Sequence, residues 1–87
     1  PIKKADFRFA LIKDSVFENV TMSGSSLEKA NLKNVRFINS DLRRVNTSHT
    51  VFTQVEDENT LFYGKKPWGG QPLSGEENLY QAGSYDG

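Results

Sequence analysis

The sequence predicts an all-β coil of short stacked sides, followed by an irregular tail. Three observations carry that expectation: a five-residue period running from Ala5 to Val55, an apolar content of only 36%, and a change of composition at Tyr63. Eighty-seven residues make one small domain at most, near the size where a lone core is marginal. The apolar share is below the globular norm, so a core shared between stacked repeats or between chains is favoured.

Cut every five residues from Ala5, the chain reads ADFRF, ALIKD, SVFEN, VTMSG, SSLEK, ANLKN, VRFIN, SDLRR, VNTSH and TVFTQ. The third positions are Phe7, Ile12, Phe17, Met22, Leu27, Leu32, Phe37, Leu42, Thr47 and Phe52, large and apolar in every block but one. The first positions (Ala5, Ala10, Ser15, Val20, Ser25, Ala30, Val35, Ser40, Val45, Thr50) are all small or β-branched. The remaining positions are mostly charged, Asn, Ser or Thr.

A period of five suits neither regular element. In an α-helix, five residues turn through roughly 500°, so successive large side chains form no stripe. In a flat strand, alternation with period two would send every second large residue into solvent. Both conflicts vanish if the chain turns a corner once per block and points each third residue at the axis. Asn19, Gly24, Asn34 and Asn39, at fifth positions, tolerate the backbone angles a corner needs.

These blocks resemble the pentapeptide-repeat family, whose consensus is a small residue, Asp or Asn, Leu or Phe, then two polar residues. Ala5-Asp6-Phe7, Ala30-Asn31-Leu32 and Ser40-Asp41-Leu42 match it directly. The resemblance implies four blocks per turn of a right-handed quadrilateral parallel β-helix, here about 2.5 to 3 coils over residues 1–62. Two residues depart from the pattern. Thr47 would need a partner for its hydroxyl, and Asp57 is a carboxylate at a third position. The coil is therefore expected to loop out or end at Asp57, with Phe62 available as a further inward residue.

Residues 63–87 form the tail, expected to be an irregular docking segment. Its Gly and Pro content forbids long regular structure, yet it holds Trp68, Leu73, Leu79, Tyr80 and Tyr85. Ser74 and Glu77 make a capping box and Gly83 a stop, which predicts a short helix over 75–82. Such a helix is too short to stand alone in water, so a partner or the coil must hold it. Residues 1–55 carry nine Lys/Arg against five Asp/Glu, whereas residues 56–87 carry two against six. The body is basic and the tail acidic.

Catalytic signals are weak. His49 is the sole histidine and no cysteine is present, so neither a metal site nor a cofactor is expected. Glu28 and the other body carboxylates lie on scattered outward positions and read as solvated surface. No enzyme activity and no small-molecule substrate are expected. The basic cluster Lys33, Arg36, Arg43 and Arg44 lacks interleaved aromatic residues, which disfavours nucleic acid as a partner. No apolar stretch is long enough for a membrane span and no leader is visible, so a cytoplasmic location or one within an assembled particle is expected.

The function expected is a structural, scaffolding protein–protein interaction module, either a component of a larger assembly such as a virion or a homo-oligomer. Contacts would run through the coil ends and the tail, with Trp68, Leu79, Tyr80, Tyr63, Arg43 and Arg44 as candidate partner-binding residues. The family also contains topoisomerase-interacting DNA mimics. That alternative needs a long acidic rod, whereas this body is short and basic.

Overall fold

The computed structural model describes residues 4–70. Within them the chain winds through three stacked coils, residues 5–24, 25–44 and 45–64, with partners twenty residues apart throughout. Three strands, β1 (Leu11–Glu18), β2 (Asn31–Ile38) and β3 (Val51–Glu58), form a parallel sheet in the order β1-β2-β3. Isolated parallel bridges Asp6↔Ser26↔Asn46 and Thr21↔Asp41↔Leu61 tie the remaining sides.

The corners explain the period of five. Every fifth residue from Lys4 to Gly69 has positive φ, eleven of them not glycine. Left-handed backbone costs an L-residue about 1–2 kcal/mol. Asp14, Asn19, Asn34, Asn39 and Asn59 bear that readily, while Phe9 and Arg44 are held there by hydrogen bonds between coils, Phe9 N–H to Glu28 C=O and Gly24 N–H to Arg44 C=O. Each strand itself bends through such a corner, at Asp14, Asn34 and Gln54.

The four sides of a coil are of two kinds. On the second side (residues 10–14, 30–34, 50–54) and the third (15–19, 35–39, 55–59), the backbone is extended and forms the sheet. On the first side (5–9, 25–29, 45–49) and on the fourth at 20–24 and 40–44, turns close instead, while 60–64 bends without such a turn. In each turn the first-position N–H of the next block donates to the third-position carbonyl, as in Ala10 to Phe7, Ala30 to Leu27 and Val45 to Leu42. At four of these five turns the second-position side chain completes the closure. Asp6, Ser26, Asp41 and Asn46 each accept the backbone N–H two residues on, at 2.9–3.2 Å. This is the physical reason for a short acceptor at that position.

Third-position side chains fill the axis. Met22, Leu27, Leu32, Phe37, Leu42 and Phe62 are buried, and Phe17 stacks on Phe37 with ring centroids 5.2 Å apart. Hydroxyls at the first positions knit the coils from inside. Ser25 accepts from Ala5 N–H at 3.0 Å, Thr50 donates to Leu27 C=O at 2.7 Å, and Thr60 donates to Phe37 C=O at 3.1 Å. Buried Ser and Thr here are satisfied, as a dry interior requires.

Asp57 neither loops out nor ends the coil. It stays in the ladder opposite Phe37, and the strand runs on to Glu58. Its charge is tolerated because the next segment returns to meet it.

Candidate docking surfaces

Past Phe62 the chain folds back over the end of its own core. Lys66 Nζ lies 2.6 Å from Asp57 Oδ2, with side chains only 1% and 4% exposed, and Trp68 Nε1–H donates to Asp57 Oδ1 at 2.7 Å. The Trp68 ring packs on Phe62, Phe52 and Phe37 with centroids at 5.2, 5.5 and 5.8 Å. The indole thus covers the apolar column where Asp57 interrupts it. Gly70 seals the arrangement, since a Cβ there would collide with Asp57 Oδ1 and sit 2.7 Å from Trp68 Nε1.

Gly70→Ala should therefore destabilise the closure by roughly 1–3 kcal/mol, the usual penalty for overpacking. Gly69→Ala meets no neighbour within 4 Å but holds φ at 92°, so it should cost about 1 kcal/mol from backbone strain alone. Thermal melts of the two variants separate the mechanisms. Equal, negligible shifts would show that Gly70 does not touch Asp57.

The other end differs. Phe7, Ile12 and Phe17, three of the four first-coil members of the inward columns, are only half-buried, while their second-coil counterparts are sealed; the fourth, Met22, is buried. Around them Phe9, Leu11 and Val16 are 70%, 63% and 58% exposed. Among the described residues, β1 pairs on one edge only. The two ends of the coil are thus unlike: one carries a folded-back segment, the other an apolar rim.

The residues singled out from sequence fall in several places. Trp68 lies on the chain's own core. Arg43 binds Asp41 through two side-chain hydrogen bonds of 2.9 and 2.6 Å, and its guanidinium stands 5.9 Å from the Tyr63 ring centroid. Burial pushes the Asp41 carboxyl up, but the hydrogen bonds and charge of Arg43 outweigh it and hold the group below the usual carboxylate range. Asp6 and Arg8 repeat this clasp on the first side; the Arg8 hydrogen bond lowers Asp6 to about 2. Arg44 occupies an exposed corner with φ of 65°. The structure brings Arg43 and Tyr63 together. Leu79, Tyr80 and the helix expected over 75–82 lie outside the described residues.

The closure by Asp57, Lys66 and Trp68 was missed as a unit by sequence reasoning, although its signal was present. Asp57 is the lone carboxylate at a third position, and the single Trp of the chain follows eleven residues later. Among the described residues, no group of three or more His, Cys, Asp or Glu could hold a metal ion, and no helix is long and apolar enough to cross a membrane.

Inward columns, left-handed corners every five residues and twenty-residue registers define a four-sided parallel β-solenoid. A family model for pentapeptide repeats matches eight copies, over residues 3–37 and 30–56. The chain belongs to the pentapeptide-repeat family, and its fold is that family's right-handed quadrilateral β-helix. Comparison with curated proteins and with solved structures finds no match.

Proposed function

We propose that this chain is a non-catalytic scaffolding module that docks proteins, within a larger assembly or a homo-oligomer, through its first coil, and that its C-terminal segment is a docking segment. The observation that carries the reading is the apolar rim of the first coil. Phe9, Leu11 and Val16 surround the half-buried Phe7, Ile12 and Phe17 beside an edge strand whose outer N–H and C=O groups face outward. Folded proteins cover such edges and patches or use them for association. The described residues carry ten Lys/Arg against eight Asp/Glu, which supplies none of the acidity that DNA imitation requires.

Val16→Lys tests the reading, because Val16 points outward at the rim and its loss leaves the inner columns intact. Sedimentation velocity and affinity capture should show the parent chain associating with itself or with a protein, and the variant losing at least tenfold in affinity. Equal behaviour of the two, or an inert monomer in both cases, would overturn the use of the first coil as a docking end.

A further inference from the structure

The second side of the coil presents a three-by-three array that the fold itself does not require. Its outward columns are Leu11, Asn31, Val51 and Lys13, Lys33, Thr53, flanked by the corner column Phe9, Lys29, His49. Leu11 and Val51 are exposed, the latter by 52%. Lys13 and Lys33 are direct partners in the parallel register, and like charges so placed repel. Among the described residues neither has an ion-pair partner, and Lys29 rests over the Phe9 ring at 5.6 Å. The one carboxylate bordering this side, Asp14, accepts a hydrogen bond from Asn34 Nδ2 at 2.8 Å.

No other side combines uncompensated cations with exposed aliphatic surface. On the first side Arg8 is held by Asp6, and on the fourth Arg43 is held by Asp41. The third side carries Glu18, Glu56 and Glu58 against Arg36, which pairs with Glu58 at 3.7 Å. The corner of Lys4 and Arg44 has cations, but the glycines Gly24 and Gly64 share its column and offer no apolar surface.

We propose that this second side is the seat of the chain's own residues 71–87, which dock on it within the same molecule. The proposal rests on the reading of the C-terminal segment as a docking segment and names its surface. Charge and composition select the occupant: the seventeen residues hold Glu76, Glu77 and Asp86 with no Lys or Arg, together with Leu73, Leu79, Tyr80 and Tyr85. Glu76 and Glu77 answer Lys13 and Lys33, and the apolar side chains answer Leu11 and Val51. Reach is ample. Seventeen residues can span up to about 55 Å, against a longest body dimension of 30 Å.

The test is zero-length carbodiimide crosslinking of the full chain, read by peptide mass spectrometry on the monomer fraction. Crosslinks from Lys13 or Lys33 to Glu76 or Glu77 are expected, with a yield independent of protein concentration. The Lys13→Glu, Lys33→Glu variant should lower the yield of tail-to-coil crosslinks at least fivefold. Adding Glu76→Lys and Glu77→Lys should restore them with the charges exchanged. Crosslinks confined to a dimer fraction would assign the face to a second copy and overturn the proposal, as would tail crosslinks that ignore the charge reversal. Displacement of the crosslinks by a short DNA duplex at micromolar concentration would assign the face to nucleic acid instead. Loss of these crosslinks with association through Val16 unchanged would sink this inference alone and leave first-coil docking standing.

Discussion

Leu32→Asp is expected to leave the chain unfolded. Leu32 is completely buried on the second side, stacked between Ile12 and Phe52 in the middle coil. Removing its bulk alone would cost about 2–5 kcal/mol. The incoming carboxylate adds several more, because no cation lies within that column to pair with it. A domain of this size has roughly 5–10 kcal/mol in total. Circular dichroism should show loss of the β signal and no cooperative melt. Lys33→Asp, one residue along and solvent-facing, should change stability by less than about 1 kcal/mol. A native spectrum and melting point for Leu32→Asp would refute the inward assignment of the third positions.

Much of this fold was legible because the repeat imposes one environment on each of its five positions. Third-position side chains from Phe7 to Phe52 could be assigned inward from their period alone, and the structure places Phe62 with them. Two features were not legible. One is the division into turn sides and strand sides: Asp6, Ser26, Asp41 and Asn46 accept a local N–H at the second position of turns, yet Asn31 and Glu56 occupy the same position in strands. Counting polarity alone merges those two classes. The fate of Asp57 was hidden for a different reason. Its tolerance depends on Lys66 and Trp68 arriving from outside the repeat, and a period carries no information about a segment that breaks it. The same return makes truncation before Gly64 a change to the coil itself, since it removes both partners of a buried carboxylate.

Lys66→Met is expected to destabilise the chain by about 3–5 kcal/mol, because it strands a buried carboxylate beside a single indole N–H. At about 4–8 °C per kcal/mol for a domain this small, the melting point should fall by roughly 12–40 °C. Asp57→Leu should be comparably harmful, since it takes the carboxylate away from the Lys66 ammonium, whose side chain is only 1% exposed. The double variant Asp57→Leu, Lys66→Met should recover most of the loss, as neither desolvated charge remains and the apolar column of Phe17 and Phe37 continues into the third coil. A thermodynamic cycle over the four chains isolates the coupling, expected at 3 kcal/mol or more in magnitude. Near-additive losses would mean that the ammonium reaches solvent and the closure stands on Trp68 alone. In that case Trp68→Ala would be the most damaging single change at this end, because the indole would then be the sole cover over Phe37, Phe52 and Phe62.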